Sequence, residues 1–273
     1  MTVAPLAGTS QITTALTALG TTAFGDSETE LYTQLLVALS AGGPVPPEWT
    51  PADIADLAIF FWFKPGVDCC YASNGGAAAG AGDLVGYAAP LFGTTIAAST
   101  AGLAFQPTLQ SGGLQLDASG SDLLSFSSQF SATDITVYWS MIVDAGSNVA
   151  CFASDTVQVS LLAGVPDPAI YDNLSNGFNN AAYSPGVAMG RFNMDAAGNY
   201  SMSSTGAGES TGAVSNNGFD FNQIGGTGAI GSGNDSTANR FRLMIAVKRS
   251  IALGSAEDLL IRNWISTNDG AAL

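Results

Sequence analysis

Apolar residues recur along this chain with two different periods. Period two, which marks a strand with one buried face, puts Leu114 and Leu116 before a turn-forming cluster of Asp117, Ser119, Gly120, Ser121 and Asp122, and Leu124 and Phe126 after it. The pattern reads as two strands joined by an acidic, glycine-punctuated loop. After a spacer over 127–134, the run 135–144 is rich in β-branched and aromatic residues, and 57–63 is apolar at every position, as a fully buried strand would be. Further strands are expected at 157–162, 169–171, 186–194, 200–202 and 219–224, and at 240–248, where Phe241, Leu243, Ile245 and Val247 alternate. Asn, Gly, Ser and Asp clusters separate them at intervals of about 8 to 12 residues, the spacing of a sandwich or barrel. Between 66 and 113 the chain reads as loops with a few short strands.

The helical period appears at both ends. Ile12, Ala15, Leu16 and Leu19 share one face of a short helix that Gly20 can end. Ser27 and Glu30 form a capping box ahead of Leu31, Leu35, Ala38 and Leu39. Helices this short are marginal alone, and the linker Ala-Gly-Gly-Pro-Val-Pro-Pro over 41–47 sets them apart. Residues 1–47 therefore read as a helical region that either folds back as a lid or anchors the protein through Ile12, Leu16, Leu19, Leu31, Leu35 and Leu39 to other copies or another protein. Thr50, Pro51 and Asp53 look like the cap and first turn of a single helical turn. Ser255, with Glu257 and Asp258 in the first turn, opens a helix carrying Leu260, Ile261, Trp264 and Ile265.

Composition narrows the function. The 273 residues suffice for one large β-domain, expected over 48–273. Charged residues make up only 11% of the chain, so Ser, Thr, Asn, Gln and Gly must cover most of the surface, which suits an extracellular or assembly-bound protein. Net charge is −15, and Lys64 is the only basic residue before position 190. Such a chain repels phosphate, so neither nucleic acid nor an anionic membrane is an expected partner. The amino terminus has no basic n-region, and no uninterrupted apolar run reaches about 18 residues; neither a signal peptide nor a membrane span is expected.

Candidate chemistry is sparse. The absence of histidine excludes a Ser/His/Asp or Cys/His centre. Cys69, Cys70 and Cys151 have no metal-ligand spacing and read as buried thiols, with a bridge from Cys151 to Cys69 or Cys70 as the alternative. The segment Asn-Gly-Gly-Ala-Ala-Ala-Gly-Ala-Gly over 74–82 is followed by no lysine and reads as a close-packed turn rather than a phosphate loop. Asp117 and Asp122 offer hard oxygens that could hold Ca²⁺ or simply build Asx turns; no other cofactor is expected. Trp139, Tyr171 and Tyr183 are candidate stacking surfaces for a glycan.

Leu57 to Asp68 (LAIFFWFKPGVD), the central GLQLDASGSDLLSF and SATDITVYWSMIVD, and the closing FRLMIAVKRSIALGSAEDLLIRNWIS together resemble the concanavalin A-like, laminin-G-type jelly roll. The versions they resemble occur in bacteriophage virion proteins such as fibres and head appendages. The likeness covers residues 50–268; Asp122 matches the acidic turn of that family, whereas Ala118 stands where its members carry glycine. The resemblance implies a mainly β, antiparallel two-sheet jelly-roll sandwich with short N-terminal helices and a C-terminal helix. It also implies a structural, non-enzymatic virion protein, bound to other virion proteins through residues 1–47; because an isolated apolar helical arm needs partners, a homo-oligomer, and specifically a trimer, is expected. A dedicated lectin-like module for surface glycans is the alternative. A polysaccharide hydrolase comes third, because none of Glu28, Glu30, Glu48, Glu209 and Glu257 belongs to the E-x-D-x-E type of motif used by glucanases of this superfamily.

Overall fold

A strand apolar on both faces needs cover from both sides, and this chain provides it with a second sheet and a helix. The computed structural model describes residues 12–14, 17, 49–93, 97–98, 106–115, 123–143, 149–150, 152–153, 162–163, 169–171, 177–179, 186–215, 218–225, 240–271 and 273. Two compact units divide the chain, Met1–Thr50 and Pro51–Leu273. In the first, residues 12–14 and 17 are helical and Ile12 is buried. Leu16, Leu19, Leu31, Leu35 and Leu39 lie outside the described residues.

The second unit opens with the 3₁₀ turn Pro51–Asp53 and β1 (Leu57–Trp62). Short strands follow: β2 (Cys70–Tyr71), β3 (Tyr87–Ala88), β4 (Phe92–Gly93), β5 (Ala97–Ala98), β6 (Thr108–Gln110) and β7 (Gly113–Gln115). Next come the long β8 (Leu123–Ala132) and β9 (Ile135–Val143), then β10 (Val149–Ala150), β11 (Phe152–Ala153), β12 (Leu162–Ala163), β13 (Ala169–Tyr171) and β14 (Gly177–Asn179). The last strands are β15 (Gly186–Met194), β16 (Asn199–Ser204), β17 (Ala207–Ala213), β18 (Phe219–Gly225) and β19 (Arg240–Val247), before helix α1 (Ala256–Asp269).

The protein is mainly β, an antiparallel sandwich closed by a helix. Sheet A runs β17-β16-β15-β9-β19-β1-β4, with the β6–β7 hairpin joined to β19; sheet B runs β11-β18-β8-β5-β3-β2; a further sheet of four strands runs β10-β12-β13-β14. Phe61, Trp139, Phe192 and Met244 from sheet A meet Cys70, Phe126, Phe219 and Ile224 from sheet B in one apolar core. Burial of this kind contributes roughly 25 cal/mol per Å² of apolar surface and dominates the stability.

The loop expected to join a hairpin does something else. Leu114 pairs with Phe241 in sheet A and Leu124 pairs with Ile224 in sheet B, so the two leucine-bearing strands belong to different sheets and do not form a hairpin. Alternation reports which face a side chain takes and says nothing of the partner strand, so two inward leucine patterns in opposite sheets look like one hairpin. The expected spacer over 127–134 is strand as far as Ala132. A register shift between Phe221 and Gln223 leaves Ser127 and Ser128 exposed while Phe130 returns to the core, and this bulge breaks the period.

Candidate functional surface

Paired buried charges are the usual first candidates for chemistry, and here they lie between α1 and the outer face of sheet A. Ser255 caps α1, its hydroxyl accepting from the Asp258 backbone N–H at 3.2 Å. One turn in, the Asp258 carboxylate is fully buried. Its Oδ1 lies 2.9 Å from Arg191 Nε and accepts from the Tyr138 hydroxyl at 2.8 Å. Its Oδ2 lies 3.0 Å from Arg262 Nε and accepts from the Gly254 N–H at 2.8 Å. The two arginine contacts are ion pairs rather than aligned hydrogen bonds. Arg191, itself fully buried, donates further to Ser201 at 3.0 Å and to the Ile251 carbonyl. Burial is the main force pushing the Tyr138 phenol up, partly offset by Arg191, so it stays a protonated donor.

At the far end of α1, Asp269 accepts from Trp62 Nε1 at 3.1 Å and from the Ser140 hydroxyl, and pairs with Arg242 at 3.2 Å. A third knot ties the segment before the helix: Asn193 Oδ1 accepts from Thr136, Ser250 and the Ile251 N–H, each at 2.9 Å. Every one of these carboxylate and amide oxygens is occupied from inside the protein. None is left facing a cleft, so the network fastens the helix and offers no acid or base to a substrate.

The cysteine pair gives no nucleophile either. Cys69 and Cys70 are buried and free, and the hydrogen bond between their side chains, followed by burial, pushes the Cys70 thiol far above its ordinary range. Among the described residues no group of three or more His, Cys, Asp or Glu is placed to hold a metal ion, and no helix is long and apolar enough to cross a membrane. Asp117, Asp122 and Tyr183 lie outside the described residues, and Tyr171 is placed in β13 by its backbone alone.

Trp139 does not have the exposed position that glycan stacking requires. It faces the core and is fully buried, its indole lying across Gly190 on the neighbouring strand, where a Cβ would come within 2.0 Å of Cζ2. The side chain takes the inner face because β9 is central and its two faces alternate between core and helix cover.

With the outer face of sheet A's central strands β1, β9, β15 and β19 covered by α1, sheet B holds the surface that sequence reading missed. Cys70, Ala88, Leu124 and Phe126 point into the core, so the residues alternating with them point out. Tyr71 stands opposite Tyr87, Tyr87 opposite Ala98, Ala98 opposite Ser125, and Ser125 opposite Gln223. The two tyrosine rings are half-buried, with centroids 6.0 Å apart and planes at 52°. Among the described strands of sheet B, Asp220 is the only charged residue. A signal for this surface was present in the sequence, since Tyr71 adjoins the inward Cys70 and Tyr87 the inward Ala88, but two-residue strands are too short to show a period.

No family model matches this sequence, and no curated protein does. Among solved structures, a Trypanosoma rangeli sialidase in complex with a difluoro-KDN compound aligns at 11% identity and TM-score 0.45, over 87% of this chain and 40% of the sialidase. The botulinum neurotoxin serotype D binding domain aligns at 8% and 0.42, over 76% of this chain and 51% of that one. The binding domain of Paraclostridial Mosquitocidal Protein 1 aligns at 10% and 0.38, over 62% and 46%. The chain thus spans about half or less of each, and likeness at this level assigns no ligand or activity.

Proposed function

We propose that this protein is a non-catalytic, lectin-like carbohydrate-binding module carried on a bacteriophage particle as a head or tail appendage, fibre or decoration subunit. The observation that carries the binding reading is the outer face of sheet B, where the Tyr71 and Tyr87 phenols and the Ser125 hydroxyl lie in one row, in a sheet whose described strands contain one charged residue. Sites for polyols combine an apolar platform with a few placed hydrogen-bonding groups. A non-catalytic role is supported by the absence of histidine and by buried carboxylates whose oxygens are already filled by the sheet and helix. The virion setting is supported by the sequence resemblance over residues 50–268 and by the sparse, acidic charge.

Residues 1–47 supply the attachment, with Leu16, Leu19, Leu31, Leu35 and Leu39 at the contact of a homotrimer, while Ile12 is buried within the chain itself. A glycan array probed with the intact chain is expected to show selective binding, and light scattering is expected to give three times the 27.6 kDa chain mass. A trimer that binds no glycan would leave only the second reading, a purely structural virion subunit, which the leucine-striped amino-terminal region favours. Turnover of any polysaccharide would count against both.

A further inference from the structure

We infer that Tyr71 and Tyr87 form the stacking platform of a subsite for an uncharged pyranose, at the β2 edge of sheet B. This rests on the carbohydrate-binding reading above and names its site and ligand class. The two tyrosines face each other across β2 and β3 on the solvent side of the sheet. The Tyr71 hydroxyl donates to the Asp68 carbonyl at 3.2 Å, which fixes its ring before any ligand arrives. Little side-chain freedom is then lost on binding.

The small-residue segment over 74–82 now has a role. It runs beside the tyrosines with no side chain large enough to cover them, and its path is held by the backbone. The Ala72 N–H donates to the Ala77 carbonyl at 3.1 Å, the Gly76 N–H to the Ser73 carbonyl at 2.9 Å, and the Gly86 N–H to the Tyr71 carbonyl at 3.0 Å. Gly86 is needed for the approach, because a Cβ there would lie 2.2 Å from the Ala72 carbonyl oxygen. The border is therefore both low and rigid.

The ligand class follows from the rim. A pyranose presents a C–H face to an aromatic ring and hydroxyls at its edge. Ser73 and Asn74 are exposed beside the platform and can donate or accept, and Ser125 continues the same row across the sheet. Asp68, whose carbonyl holds the Tyr71 hydroxyl, is also exposed there. Carboxylates accept from sugar hydroxyls and repel sialic, uronic or sulfated residues, and the chain's net charge of −15 acts in the same direction. Neutral hexose glycans fit this rim, and anionic ones do not.

The test uses the full chain on an array of neutral and anionic oligosaccharides, followed by titration with the neutral oligosaccharide that binds best. Tyr71→Ala and Tyr87→Ala are each expected to weaken binding by about tenfold or more, while Tyr71→Phe keeps most of it. Phe92→Ser, at the exposed aromatic on sheet A's edge, is expected to leave it unchanged. Thermal midpoints check that each variant folds. On the unaltered protein, bound sugar is expected to shield Tyr71 and Tyr87 from tetranitromethane, read by peptide mass. If the wild type binds and neither alanine variant nor nitration responds, or if binding follows Phe92, this site is wrong and the lectin reading stands. If only anionic glycans bind, the ligand class is wrong; if no glycan binds, the lectin reading fails and the site with it.

Discussion

Gly190 shows how much one absent side chain can carry. It sits mid-strand, opposite Trp139, and the indole occupies the space a Cβ would need. Overpacking of a close-packed interior typically destabilises by about 1–3 kcal/mol. Gly190→Ala is expected at the upper end of that range by urea denaturation, and Trp139→Leu, which leaves a cavity of its own, is expected to cost less in the Gly190→Ala background than alone, because there it also removes the clash. The pair also explains a misreading. Trp139 was a glycan candidate because an aromatic in a half-buried strand has two faces to choose from. The signal that decides between them was 51 positions further on, in a glycine interrupting an otherwise strong strand run, which marks close approach of a neighbouring group.

At the scale of the element, α1 was the most legible part of the fold. Ser255 caps it, Glu257 and Asp258 fill its first turn, and Ile261 and Ile265 face the sheet, all as the sequence pattern indicates. The function of its acids was less visible. Asp258, Ile261, Ile265 and Asp269 share the buried stripe, so two of the acids belong to the packed face and are not merely complements to the helix dipole. Removing one partner of a buried ion pair leaves the other charge stranded, a loss of about 3–5 kcal/mol. Asp258→Ala is accordingly expected to lower the denaturation midpoint sharply. Glu257→Ala, one residue away, removes a partly exposed partner of Arg249 and should cost less than about 1 kcal/mol. Equal effects from the two would mean that the Arg191–Asp258–Tyr138 network does not hold the helix.

For the whole molecule, the order of strands along the chain was readable and their distribution between sheets was not. The runs at 57–63, 135–144, 186–194 and 240–248 match β1, β9, β15 and β19 closely, because each carries several apolar residues at strand spacing. Polar β17 and the two-residue strands gave no such signal, and β7 and β8 were paired wrongly because facing leucines look alike whichever sheet holds them. The assembled fold also has a pH signature. The Tyr138 phenol titrates near 10 when unfolded and is pushed higher by burial when folded. Beyond about pH 10 only the unfolded chain sheds that proton, so the stability from this group is complete below that point and lost as pH rises. Tyr138→Phe is expected to flatten the alkaline decline in thermal midpoint; an unchanged slope would show that the phenol is not protected.

The placement of β19 between β9 and β1 also sets an order of events during synthesis. Leu57 finds its partner only when Val247 has been made, so for most of translation β1 is an apolar ribbon without its main neighbour. Pairings this distant in sequence fold slowly, and unpaired strands of this kind invite aggregation. Folding is therefore committed late and all at once, when Phe60 and Phe61 acquire β19 on one edge and α1 above. A chain stalled or cut before position 240 would expose both phenylalanines and should collect in insoluble material, whatever the quality of the strands already made.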